Sequence, residues 1–219
     1  MHLVVTGDLI GSRRFGGPQA LNLLKDTLET VNRRLAGLIT VPFRPYQGDA
    51  FQGVLSSAKG LPRLVFIFQA LLITHSTRDY GRMLRARFGA GMGDIDQPLA
   101  GAANPALLTG PAFVAAAEAL SKARDKKRQV IFLGGGAGLD LAVNGTFGLV
   151  EFVWNRWNAE VWRRALCYDD LRDFKALAAE LGVSYQAIHK QLHTRGVLVV
   201  REALTGMSHL LEDAETWLR

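Results

Sequence analysis

Cys167 is the only cysteine in the chain. A lone cysteine excludes an internal disulfide framework, reads as a small packed hydrophobe and fits a reducing compartment, so a cytoplasmic location is expected. Long apolar runs are also lacking. The most apolar stretch, LPRLVFIFQALLI at residues 61–73, is too short to span a bilayer and contains Arg63, so it reads as a buried helix. Charges and glycines interrupt the first residues, so neither a secretory signal nor a membrane partner is expected. No internal repeat or low-complexity linker is present. Several catalytic signatures are missing as well. The Gly-rich LGGGAGLD at 133–140 lacks the GK[ST] of a phosphate-binding loop and reads as a hairpin turn. His189 and His193 have a zinc-compatible spacing, but no HExxH glutamate accompanies them. No Ser–His–Asp or Cys–His order is recognisable, so no catalytic residue is assigned.

What remains is a globular composition. Of 219 residues, 48% are hydrophobic and 21% charged, which excludes a disordered chain and suits one domain with a small appendage. The formal net charge of +6 is compatible with a polyanionic partner, and equally with solubility alone.

Along the chain, LVVTGDLI (3–10) reads as a strand. Residues 17–38 place apolar side chains on one helical face behind Pro18. FRPYQGDAFQGVLS (43–56) reads as a hairpin around Gly48-Asp49, followed by the buried helix from Leu61 to about Thr77. In LRARFGAGMGDI (84–95), Leu84, Ala86, Phe88, Ala90 and Met92 alternate with Arg85, Arg87, Gly89, Gly91 and Gly93, the pattern of a strand with one packed face. A helix over much of 105–125 and a strand over 128–135 follow, and 137–145 reads as a turn. The order β, α, ββ, α, β, α, β excludes a simple parallel repeat. It predicts an α+β fold on a ferredoxin-like plan, with helices on one face of the sheet and the other face free for a ligand. Composition changes near Phe147. An α+β unit over 1–146 and a helical unit over 147–219 are therefore expected, with strand character in the second unit only at GVLVV (196–200). The second unit holds three of the four tryptophans within residues 147–166, expected in the core or at a dimer interface.

Two constellations could carry function. In the first, Asp8 ends a strand and is followed by Gly11, Ser12 and Arg13, while Asp49 sits at the hairpin. Two aspartates at neighbouring strand ends could hold Mg2+ or Mn2+ against a triphosphate. Gly89, Gly91 and Gly93 would leave an open floor, with Arg85 and Arg87 supplying positive charge beside it. The plain alternative is a polar strand end, a tight Gly-Asp turn, and glycines that relieve sheet twist. The second constellation is DFKALAAELGVSYQAIHKQLHTRGV (173–197), a helix-turn-helix pattern. Ala178, Gly182 and Ile188 fill its small, turn and apolar positions, and Ser184 caps the second helix. That helix would expose Tyr185, Gln186, His189, Lys190 and His193, residue types that contact bases and phosphates in the major groove. Such helical pairs also serve as packing modules.

TGDLIGSRR, GDAFQG, FGAGMGDI and TGPAFVAAAEAL occur in the order and spacing of the SatD family of bacterial proteins, and WNRWNAEVW before the helix-turn-helix also resembles that family. More distantly, the first two motifs resemble the metal-binding strand and Gly-Asp hairpin of class III nucleotidyl cyclases and GGDEF cyclases, which share a palm-like core. The resemblance implies that Asp8, Asp49 and the Leu9 carbonyl are metal ligands. It also implies a homodimer, because such cyclases place their sites at dimer interfaces. One departure is plain: Ala50 stands where the SatD pattern has an acidic residue, GDEFQG. Two functions are thus expected. One is a DNA-binding regulator whose cyclase-like domain binds a nucleotide with divalent metal. The other is a metal-dependent nucleotidyl cyclase or transferase.

Overall fold

The structure is a computed structural model that describes residues 2–217. Its elements are, in order, β1 (His2–Ile10), α1 (Ser12–Phe15), α2 (Gly17–Arg34), β2 (Ile39–Tyr46), β3 (Ala50–Leu55), α3 (Leu61–Tyr80), β4 (Arg85–Gly93), α4 (Pro111–Asp125), β5 (Val130–Leu133), α5 (Ala137–Trp154), α6 (Ala159–Leu171), α7 (Phe174–Leu181), α8 (Tyr185–Thr194) and α9 (Val197–Trp217). The strands form one mixed sheet in the order β2-β3-β1-β4-β5. β1 pairs antiparallel with β3 and with β4, β2 and β3 form a hairpin, and only β4–β5 is parallel. The fold is α+β.

Alternation along the strands decides what each face touches. Leu3, Val5, Leu9, Phe51, Ala86, Phe88, Ala90 and Met92 point to one side and share a core with α2 and α3. Phe51, Phe68 and Phe88 meet there, with ring centroids 4.5–5.5 Å apart. α3 is buried along most of its length, which explains its near-continuous apolar sequence. On β2, Phe43 sits where the register shifts, and its backbone N–H and carbonyl pair with the Asn32 side chain of α2 at 2.8 Å each.

The opposite face is not free, which corrects the expectation of helices on one side only. α4 lies across it, packing Ala112 and Ala116 against Val4, Val41 and Val54. The glycines of β4 make this possible. A Cβ at Gly89 would come within 2.3 Å of the Ala116 carbonyl oxygen, and one at Gly91 within 2.2 Å of the Ala116 nitrogen. Gly89 and Gly91 are therefore a helix seat and not the floor of an open site.

Two other expectations change. Residues 137–145, read as a turn, open α5, and GVLVV lies largely in α9 instead of a strand. The turn reading fits only the preceding glycines, where Gly134 and Gly136 have φ of 102° and 83°. Asp140, one turn into α5, accepts hydrogen bonds from the Gly134 and Gly135 N–H groups at 3.3 and 2.9 Å, which secures the helix start. The expected division between residues 146 and 147 falls inside α5, an unbroken helix.

α5 is fixed to the sheet by a buried polar network. Glu151 accepts from Arg128 Nε and from the Gln129 and Val130 N–H groups, each at 3.0 Å. Gln129 bonds Gln69, which in turn pairs with both backbone groups of Ala86 at 2.8–3.0 Å. Beyond it, Trp154, Trp157 and Trp162 form an aromatic cluster with Phe66 of α3, so the tryptophans are core residues. Among the described residues no helix is long and apolar enough to cross a membrane.

Two outcomes test this packing. Gly91→Ala forces α4 off the sheet and lowers unfolding free energy by about 3 kcal/mol or more, read by urea denaturation. Gly206→Ala, in α9 with nothing near its added methyl, instead raises stability by about 0.5–1 kcal/mol. The second outcome concerns Cys167. Burial pushes its thiol pKa up, although Arg163 pulls the other way. At pH 7 the native protein is therefore alkylated by iodoacetamide more slowly than a free thiol. The rate rises only as pH exceeds the ordinary thiol range, and urea removes the protection.

Candidate functional site

Asp8 lies near the end of β1, on the α4 side of the sheet. Its Cα partners are Ala50 on β3 and Arg87 on β4. Its carboxylate is 14% exposed and held by two guanidiniums. Arg87 Nη1 stands 3.4 Å from Oδ1, and Arg124, in the last turn of α4, donates through Nε to Oδ2 at 2.8 Å. Arg87 is 18% exposed and Arg124 51% exposed. Arg87 also faces the Arg128 carbonyl oxygen at 3.3 Å.

Asp49 sits in the β2–β3 turn, which is shaped by Gln47 and Gly48 in the left-handed region at φ 49° and 75°. Its Oδ2 accepts a hydrogen bond from Ser12 Oγ, at the start of α1. Gly11, at φ 74°, turns the chain so that Ser12 reaches the hairpin. Asp8 and Asp49 line one cavity of about 550 Å3, bounded by the sheet, α4 and the segment before α4. Thr109 braces that segment, accepting Gln97 Nε2 at 2.8 Å and donating to Asp96 at 3.0 Å.

The structure places Asp8 and Asp49 on one cavity, with Ser12 bonded to Asp49 and Arg87 beside Asp8. The other expected residues are elsewhere. Arg85 donates to Asn155 at 2.8 Å, between α5 and α6. Arg13 is exposed on α1, and Gly89 and Gly91 lie beneath α4. Leu9, next to Asp8 on β1 and expected to act through its carbonyl, turns its side chain into the core. Thr6, Gln52 and Arg124 also line the cavity, and sequence reasoning missed all three. Arg124 lies within a basic stretch, SKARDKKRQ (121–129), and only the packing of α4 selects which of its cations faces Asp8.

The donor set does not suit a divalent ion as arranged. Such ions need several oxygen ligands. Both Asp8 oxygens face guanidinium groups, one Asp49 oxygen is taken by Ser12, and alanine occupies position 50. Among the described residues no group of three or more His, Cys, Asp or Glu side chains is placed to hold a metal. What the arrangement does supply is one carboxylate, Asp8, held by two guanidiniums of which Arg124 is half-exposed, and a second, Asp49, held by the Ser12 hydroxyl.

The far end of the molecule holds the second constellation. Asp173 caps α7, accepting from the Ala176 N–H at 2.6 Å, and Ser184 caps α8, accepting from Ala187 at 3.2 Å. Gly182 ends α7 at φ 64°. Leu177, Ala178, Ile188 and Leu192 are buried between the helices and the rest of the core. Tyr185, Gln186, His189, Lys190 and His193 are all exposed on α8. Phe174, Tyr185, His189 and His193 form a chain of rings along it, with the two histidines 4.3 Å apart. α8 is anchored from behind by Gln191, which accepts from Arg164 of α6.

Unequal losses are expected at the first site. Asp8→Asn leaves Arg87 largely buried without a carboxylate and lowers stability by about 1–3 kcal/mol. Arg124→Ala removes a half-exposed partner and costs under about 1 kcal/mol. Urea titrations of both variants check the order, and a larger loss for Arg124→Ala would refute it. No protein-family model matches the chain and no curated protein is significantly similar to it, so any function must be argued from these groups.

Proposed function

We propose that the protein is a DNA-binding regulator of the SatD type, acting as a homodimer. The observation that carries this reading is the presentation of α8. Its buried side is held by Ile188 and Leu192, and its opposite side offers Gln186, His189, Lys190 and His193 to a partner. Those groups suit base edges and phosphates, and the cap at Ser184 sets the helix N-terminus toward the groove in the manner of a recognition helix. The α7–turn–α8 unit is then a helix-turn-helix, and the second copy would read a half-site one turn of duplex away, about 34 Å.

The β2-β3-β1-β4 part of the sheet supports a palm-like, ferredoxin-like reading of the first unit. Its role in a regulator is to sense a nucleotide in the cavity beside Asp8 and Asp49. Arg124 lines that cavity and is the cation in reach of a phosphate. Nucleotidyl transfer is the weaker reading, because Ala50 removes a carboxylate and Arg124 faces Asp8.

The test is selection of duplexes from a random library, followed by fluorescence anisotropy over a salt series. One sequence should bind preferentially. Lys190→Ala should reduce the salt slope by about one phosphate contact, and Gln186→Ala should cost about 1–3 kcal/mol on that sequence alone. Equal weak binding to every duplex and to heparin would sink the proposal.

A further inference from the structure

A second cavity, of about 140 Å3, lies between α3, α6 and α9, away from both sites above. Its walls are apolar: Phe66, Trp157, Ala165, Val200 and Leu204. That volume is close to the engineered apolar cavity of about 150 Å3 that accepts benzene. One six-membered ring therefore fits.

The polar part of the lining is strongly cationic. Arg63, Arg172 and Arg201 face a single carboxylate, Asp169. Arg172 Nη2 is 2.9 Å from Asp169 Oδ1, whereas Arg63 Nη2 stands 3.9 Å from Oδ2, which is buried without a hydrogen bond. Arg172 Nε also donates to the Asp169 backbone carbonyl at 2.8 Å. Arg201 is left over. Its Nε is buried and makes no hydrogen bond, and its guanidinium lies over the Tyr168 ring, 5.4 Å from the centroid. Arg201 as a whole is half-buried, but a buried N–H on a charged group without a hydrogen bond is still costly, and an anion in the cavity would relieve it. The apolar walls disfavour a bare hydrated ion such as phosphate. An occupant with one ring and one carboxylate satisfies both halves of the lining.

We propose that this cavity is a binding site for a small aromatic monocarboxylate, with its ring on the apolar walls and its carboxylate on Arg201. The site joins α3 of the sheet unit to α6 and α9, the helices on either side of α7–α8. The binding claim does not depend on DNA recognition, since it is measured on the protein alone.

Benzoate is the probe, titrated into the full chain by calorimetry and followed by Trp157 fluorescence. One molecule should bind per chain. Benzamide, its neutral counterpart, should bind at least about tenfold more weakly, as expected for loss of one charge-assisted contact. Arg201→Met should weaken benzoate by a similar factor and close the gap to benzamide. Ala165→Phe, which fills the cavity, should abolish binding of both. Should Ala165→Phe fail to fold, the Arg201→Met comparison alone still decides. The proposal is overturned by absence of saturation at about 10 mM, ten times weaker than a millimolar site. Equal affinity for benzoate and benzamide, or full benzoate binding by either variant, would overturn it as well.

Discussion

The backbone-to-backbone seat of α4 on β4 is the contact on which the rest of the molecule depends. Glycines on the strand meet alanines on the helix, so no side chain separates the two layers. Close approach of this kind leaves little freedom in the height or rotation of the helix, because interiors are packed too densely to absorb a shift. Its last turn consequently overhangs the end of β1, and Arg124 falls on Asp8. A larger residue at Gly89 or Gly91 would lift the helix and carry Arg124 away. The small-residue stripe and the charge arrangement near Asp8 are thus one feature, expressed first in packing and then in electrostatics.

A second constraint joins the sheet to the helices that follow it. β5 is short, and the chain on either side of it needs partners for its backbone. Glu151 supplies acceptors for two consecutive N–H groups, at Gln129 and Val130, and Gln69 serves Ala86 on the neighbouring strand. Buried polar groups rarely remain unpaired, so α5 is drawn to this edge as much by hydrogen bonding as by its apolar side chains. The tryptophan cluster then extends the same core into α6. The α7–α8 pair therefore stands on a base continuous with the sheet.

Much of this was legible in the sequence. The strict alternation of residues 84–92 marked β4 and its buried face, Gly48-Asp49 marked the hairpin, and Gly182 and Ser184 marked the turn between α7 and α8, because caps and turns are local chemistry. What was not legible depended on neighbours. Gly89 and Gly91 announce that something approaches closely, yet ligand and helix are equal candidates until the matching alanines at 112 and 116 are recognised. GVLVV has the β-branched character of a strand, but Val197 and Val200 are one helical step apart and are buried together in α9, so tertiary packing overrode propensity. The start of α5 was hidden by its glycines and is stabilised by Asp140, which contacts them only once the turn has formed.

Asp8, Asp49, Ala50 and Arg124 share one cavity. A cyclase-like site with three acidic groups would concentrate negative charge that only metal ions could balance. Here the acid at position 50 is absent, and the two remaining carboxylates share a cavity with Arg124, while Arg87 pairs with Asp8 at its side. Two negative charges thus stand beside two positive ones. Both positive charges sit on Asp8, so a metal ion would have to displace a guanidinium to bind it. A phosphate faces a smaller barrier, because Arg124 is half exposed and can turn from the carboxylate toward an incoming anion. The charge on this cavity is thus set by the placement of α4, which carries Arg124 onto Asp8.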